Sequence, residues 1–180
     1  MRRNTFALGL MVVLMSATAF AQMGPTSPAP ELKKLDYFAG SWTIEATIGS
    51  GPWGAGGKFT ATPRLEWMKG EFFLVNHSEF SLPPEMGGSG TRLALMSYDP
   101  DKRLYTDEEF GSDGRREIMT GTLSGDTWTW TGESNYGSMT IQRRLTEKVT
   151  SPTSYTTKFE VSGDGGATWM PFWEGKASKK

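Results

Sequence analysis

The feature that most constrains this fold is an alternation of apolar and polar residues that recurs along most of the chain. In residues 41–48, Trp42, Ile44, Ala46 and Ile48 alternate with polar side chains. A period of two is typical of a β-strand with one buried side and one solvent-facing side. After a short N-terminal segment at 31–38, which predicts two helical turns, no stretch has a helical period. The pattern therefore predicts an all-β domain.

We predict about ten strands. They cover residues 41–48, 57–67, 71–80, 91–98, 103–110, 115–123, 126–132, 138–146, 153–161 and 168–176. Turn-forming residues separate them, for example Asp99-Pro100-Asp101 and Ser124-Gly125-Asp126. Consecutive strands joined by tight turns form a meander, and closure removes its two unpaired edges. We therefore expect an antiparallel up-and-down barrel, lipocalin-like in form, with a flat β-sandwich as the alternative.

The N-terminus predicts export. Two arginines precede a mostly apolar run at 6–19, and small residues lie at Ala19 and Ala21. This order is typical of a secretory signal peptide, residues 1–21, and the run is shorter than the about 20 residues that span a bilayer. We expect a secreted or periplasmic bacterial protein. Residues 22–30 predict a disordered leader, and 31–177 a single barrel domain.

The composition excludes several classes of function. The 180 residues carry a net charge of −1 and contain no cysteine, so neither a basic nucleic-acid surface nor a disulfide framework is indicated. We find no metal-ligand cluster, nucleophile elbow, phosphate loop or dinucleotide fingerprint. The sequence therefore predicts no enzyme, no cofactor, no metal and no membrane span after signal cleavage, and we expect a monomer.

Short motifs carry a family resemblance. Gly40-Ser41-Trp42, which follows the short helical segment, resembles the start of lipocalins and other calycin barrels. Leu35, Phe38, Gly40 and Trp42, with Ser97-Tyr98-Asp99-Pro100, resemble an exported bacterial group, domain-of-unknown-function family 1579, over most of residues 31–176. The resemblance implies a lipocalin-like fold, a tryptophan across the closed end, and at best a general role in small-molecule binding.

The chain also departs from these relatives. Lipocalins have eight strands and a Thr-Asp-Tyr turn that is absent here. Ten strands fit barrels like those of fatty-acid-binding proteins or nitrobindin better, but no late histidine is present to hold haem. The resemblance therefore implies a barrel and carries no activity with it.

The alternation predicts which side chains face the barrel interior. We expect a cavity lining of one charged and seven mostly aromatic residues: Trp42, Ile44, Trp128, Trp130, Ile141, Arg143, Tyr155 and Phe159. Arg143 lies on the apolar face of its strand, where an unpaired charge would cost roughly several kcal/mol. Its partner is an internal glutamate, the Trp42 ring with nearby carbonyls, as in calycins, or an anionic ligand.

Other candidates have both functional and structural interpretations. His77 is the only histidine and could ligate haem iron or act as a base, but a structural role is the simpler interpretation. Asp107 and Glu109 share one strand face and could pair as acid and base, although a solvated face is the more common use of such a run. Asp164 lies in Ser162-Gly163-Asp164, a hairpin turn in which it caps backbone amides.

We expect the barrel to bind a small apolar or amphipathic molecule that enters past the glycine-rich loops 49–57 and 82–90. One alternative is a filled barrel that acts as an envelope or protein-interaction module through exposed Trp53 and Met86. The other is haem binding or an enzyme that uses His77 or the Asp107/Glu109 pair.

Overall fold

The protein is a closed barrel of ten antiparallel strands. A computed structural model describes residues 27–180, apart from the side chain of Tyr136. Each strand pairs with its neighbours in sequence, and the last pairs with the first. The strands are β1 Gly40–Ile48, β2 Gly57–Trp67, β3 Leu74–Ser81, β4 Ser89–Asp99, β5 Leu104–Gly111, β6 Arg116–Ser124, β7 Thr127–Tyr136, β8 Met139–Ser151, β9 Ser154–Ser162 and β10 Met170–Lys179. The barrel prediction is confirmed, and the sandwich alternative is wrong.

Two strands begin two or more residues later than predicted, for local reasons. β3 begins at Leu74 instead of 71, because Gly70 and Glu71 have positive φ angles of 98° and 58° and form the preceding turn. β10 begins at Met170 instead of 168, because Thr168 is held in the preceding turn by Asp164. The predicted signal peptide, 1–21, and residues 22–26 of the leader lie outside the described residues.

A short helix covers one end of the barrel. The segment predicted as two helical turns is a 3-10 helix, Pro30–Tyr37. Its buried Leu32 and Leu35, with Phe38 just after it, pack into the main hydrophobic core. The indole Nε1 of Trp42 donates a 2.7 Å hydrogen bond to the Phe38 carbonyl oxygen, which joins the helix to β1. Burial of these large side chains closes this end.

Lys179, rather than Arg143, stacks on the Trp42 ring. Its ammonium lies 5.3 Å from the ring centroid and donates a 3.3 Å hydrogen bond to the Tyr37 carbonyl oxygen. The suggestion that Arg143 uses the Trp42 ring is therefore wrong. The last strand reaches this end of the barrel beside β1, whereas Arg143 lies farther along the interior.

Gly175 marks a close approach of β10 to β1. A Cβ atom there would lie 2.2 Å from the Glu45 carbonyl oxygen and 2.5 Å from Ala46 Cα. Backbone atoms cannot move aside as a flexible side chain can, so we expect Gly175→Ala to lower the free energy of unfolding by about 1–3 kcal/mol. Urea titration followed by circular dichroism measures the change.

Gly163→Ala is the matched control, because a Cβ at Gly163 meets no atom within 4 Å. Equal stability losses in Gly175→Ala and Gly163→Ala would contradict the steric explanation.

Among residues 27–180, no helix has the length and apolar content needed to span a membrane.

Candidate functional site

A cavity of about 430 Å³ occupies the barrel end opposite the helix. Loops 49–56 and 82–88 and the β5–β6 turn surround its mouth, because the connections after odd-numbered strands all lie at this end. Trp53 and Met86 line the cavity and are half-buried. Neither side chain is fully exposed, contrary to what the interaction-module alternative expected, since each turns inward over the mouth.

One side of the cavity is aromatic. Phe59 on β2 and Phe159 on β9 stack on either side of Trp173 on β10, with ring centroids 5.1 and 5.7 Å away and interplanar angles of 23° and 20°. Trp53 packs edge-on to Phe172 at 5.0 Å, and its Nε1 donates to the Gly49 carbonyl oxygen at 2.7 Å. We call the aromatic residues Trp53, Phe59, Phe80, Phe159, Phe172 and Trp173 the aromatic half of the cavity.

The other side carries the charged residues. They lie on β4, β5, β6, β8 and the β5–β6 turn, and we call them the ionic half: Arg92, Glu109, Asp113, Arg115, Glu117 and Arg143. Arg92 Nη1 donates to Glu109 Oε1 at 3.0 Å. The cavity is therefore two-sided, with apolar rings facing ion pairs.

Arg143 is the deepest cation of the ionic half. Its side chain is 5% exposed and forms an ion pair with Glu117, which also accepts a 3.0 Å hydrogen bond from Ser134 Oγ. The internal glutamate is thus the partner that the burial of Arg143 required. Nε and Nη2 of Arg143 are buried and have no hydrogen-bond acceptor among the described residues.

Gly132 leaves room for this arginine. It pairs with Arg143 across β7 and β8, and a Cβ atom there would lie 3.3 Å from Arg143 Nη2 and 2.4 Å from the Ile118 carbonyl oxygen. The missing side chain lets the guanidinium cross the inner face of β7 toward Glu117 on β6. A large residue at 132 would close this path.

Asp107 and Glu109 face the interior, so a solvated face is the wrong interpretation of this acidic run. Glu108, between them, points outward and pairs with Arg116 at 2.6 Å. Asp107 Oδ1 is buried without a hydrogen-bond partner in residues 27–180. Burial, and then the nearby Glu109 carboxylate, raises the pKa of the Asp107 carboxyl well above its usual range. Burial therefore favours the uncharged form of the Asp107 carboxyl.

Glu147 is an interior carboxyl that the sequence analysis missed. It accepts a hydrogen bond from Trp130 Nε1 at 3.1 Å. Burial raises the pKa of the Glu147 carboxyl to about 7. Burial also raises the pKa of Tyr155 well above its usual range, and the nearby Glu147 carboxylate raises it further. The sequence could have predicted this inward position, because Arg143 and Glu147 are four residues apart on β8 and alternation places them on the same face.

The structure separates the eight expected lining residues by depth. Ile141, Arg143 and Phe159 lie on the cavity wall. The other five lie below it: Trp42, Trp128, Trp130 and Tyr155 are buried in the core at the closed end, with Ile44 packed against that core. Trp128 and Trp130 stack there at 5.7 Å. Alternation identified the inward-facing residues. Packing under the helix determined which of them belong to the core at the closed end and which line the cavity.

His77 and Asp164 both lie away from the cavity. His77 is exposed on the outer side of β3, so it cannot approach a group held inside the barrel. Asp164 accepts hydrogen bonds from the Thr168 backbone N–H at 2.9 Å and from Ser162 Oγ at 2.7 Å, which confirms the amide-capping turn. The pKa of Asp164 is lowered mainly by the hydrogen bond from the Thr168 hydroxyl, and further by these two hydrogen bonds.

Comparison with known proteins identifies the family. The model of a family of proteins of unknown function, DUF1579, matches residues 27–179. The chain belongs to the DUF1579 family. No curated protein matches it. The crystal structure of Rv2717c from M. tuberculosis is similar, with a TM-score of 0.58 and 11% identity over 86% of this chain and 99% of that one. This likeness supports the barrel fold of the DUF1579 protein and carries no function.

Proposed function

We propose that this DUF1579 protein binds a small apolar or amphipathic molecule in the barrel cavity. The observation that carries the proposal is the cavity of about 430 Å³, which is open between the loops and has an aromatic half and an ionic half. Its volume falls within the roughly 300–1,000 Å³ of small-molecule sites. A barrel filled with side chains, the alternative for an interaction module, would not have this space.

The proposal gives the protein no catalytic role and places it outside the cytoplasm, as segment 1–21 predicts. Entry would pass between loops 49–56 and 82–88. Half-buried Trp53 and Met86 extend from these loops over the mouth, and Gly54, Gly56 and Gly87 have positive φ angles there. Such loops can change conformation with little steric cost.

The test blocks the cavity with one residue. We expect N-phenyl-1-naphthylamine, an uncharged fluorescent probe, to bind wild-type protein saturably at one site. Val161 lines the cavity on β9, so Val161→Trp should weaken probe binding by at least about tenfold, because the new ring occupies the ligand's space. Fluorescence titration measures both affinities, and circular dichroism checks the fold.

Ile118→Trp is the matched control, because Ile118 is 48% exposed on the outside of the barrel and an added ring there leaves the cavity unchanged. It should bind the probe as the wild type does. Either the absence of saturable binding in the wild type or equal binding by Val161→Trp and the wild type would refute the proposed function.

A further inference from the structure

The lining charges of the cavity cancel one for one. Arg92 pairs with Glu109, Arg143 with Glu117, and Arg115 with Asp113, whose Oδ2 accepts a 2.6 Å hydrogen bond from Arg115 Nε. Every cation of the ionic half thus has a carboxylate beside it. The lining as a whole presents strong dipoles and no net charge.

A charged ligand group would disturb this balance. A carboxylate at Arg143 would lie close to Glu117, and an ammonium at Glu117 would lie close to Arg143. An unbalanced charge in a partly dehydrated interior costs roughly several kcal/mol. A neutral carbonyl or hydroxyl group avoids this cost and can still hydrogen-bond to the ion pairs, whose partners keep unused lone pairs and N–H groups.

Two deeper carboxyls, Asp107 and Glu147, lie near the ion pairs, and burial favours the uncharged form of each. Burial raises the pKa of Glu147 to about 7, so that carboxyl is mostly protonated at about pH 6. Beside these two groups, Arg92 and Arg143 pair with Glu109 and Glu117 inside the barrel, and Arg115 pairs with Asp113 at the mouth.

The aromatic half defines the rest of the ligand. Phe59, Trp173 and Phe159 form a rigid stacked row across β2, β10 and β9. A flat aromatic ring that packs against such edges and faces gains about 0.5–1.5 kcal/mol of binding free energy per ring pair, beyond the contribution of its buried area. A flexible alkyl chain gains no such term and loses rotational freedom when it is bound.

We infer that the ligand is an uncharged, flat aromatic molecule with hydrogen-bonding groups along one edge, held between the aromatic half and the ionic half. This inference rests on the proposed function and narrows it. It excludes fatty-acid carboxylates and protonated alkylamines as preferred ligands, although both are amphipathic.

The experiment compares probes that share one ring and differ in charge. 2-Naphthamide, 2-naphthoate and 2-naphthylmethylammonium each compete with N-phenyl-1-naphthylamine at about pH 6. We expect the neutral amide to bind at least about tenfold more tightly than either ion. Decanamide, a flexible neutral comparator of similar size, should bind at least about threefold more weakly than 2-naphthamide.

Glu117→Gln tests the charge argument directly. The variant leaves Arg143 without its carboxylate, so 2-naphthoate should gain about tenfold in affinity while 2-naphthamide changes by less than about threefold. Arg143→Gln should have the opposite effect and favour 2-naphthylmethylammonium. Retained binding of the fluorescent probe shows that each variant is folded; where a variant does not fold, the ranking in the wild type decides.

The inference is overturned if 2-naphthoate or the ammonium binds wild-type protein as tightly as 2-naphthamide, or if decanamide matches it. In those cases the fluorescent probe still binds and the proposed function stands. Failure of the proposed function gives a different result: either no probe, charged or neutral, binds saturably, or Val161→Trp binds the fluorescent probe as tightly as the wild type does.

Discussion

Glu147→Gln is expected to raise the free energy of unfolding by about 3 kcal/mol at about pH 8 and to leave it nearly unchanged near pH 4.5. Burial raises the pKa of the Glu147 carboxyl from its ordinary 4.5 to about 7. Between these values the folded protein keeps a proton that the unfolded chain releases. Rising pH therefore favours unfolding by about 1.4 kcal/mol per pH unit across this interval, and the loss is complete above the folded pKa.

Glutamine removes this penalty because it has no proton to lose. Its side-chain oxygen can still accept the hydrogen bond from Trp130 Nε1 that Glu147 accepts now. Urea unfolding of both proteins at several pH values measures the difference, with Glu45→Gln on the exposed face of β1 as the matched control for loss of a carboxylate. Wild-type and Glu147→Gln stabilities that stay parallel from acid to alkaline pH would show that the buried carboxyl imposes no such cost.

Trp42→Ala is expected to lower the free energy of unfolding by about 3–5 kcal/mol, through lost burial and the cavity left behind. Trp42 is 1% exposed, packs on Tyr155 at 5.0 Å and joins β1 to the helix through the Phe38 carbonyl oxygen. Its removal also leaves that buried oxygen without its donor. Far-ultraviolet circular dichroism during urea titration measures the loss without depending on tryptophan fluorescence.

Trp169→Ala is the matched control, because the half-buried Trp169 lies on the outer face with Arg144 at 4.1 Å from its ring centroid. It should cost only about 1 kcal/mol. Where Trp42→Ala does not fold, Trp42→Phe keeps a ring but not the hydrogen bond, and it should still cost about 1–3 kcal/mol. Similar losses for Trp42→Ala and Trp169→Ala would contradict the assignment of Trp42 to the closed end.

The sequence by itself determined the strand content and the direction of most side chains, and it favoured a closed barrel over a sandwich. Alternation along 41–48 gave β1, and short turns after residue 98 required a meander, whose unpaired edges closure removes. The same alternation placed Arg143 inside the barrel, because consecutive side chains of a strand point to opposite faces.

Only the tertiary structure decided how deep each inward residue lies and what it contacts. Trp130 and Phe159 both face inward, yet one fills the closed end and the other lines the cavity. Arg143 meets Glu117, 26 residues away, because the register places Gly132 between their strands. A period of two fixes the face of a strand but not the height of a residue along the barrel axis. That height depends on pairing among all ten strands and on the helix that covers one end.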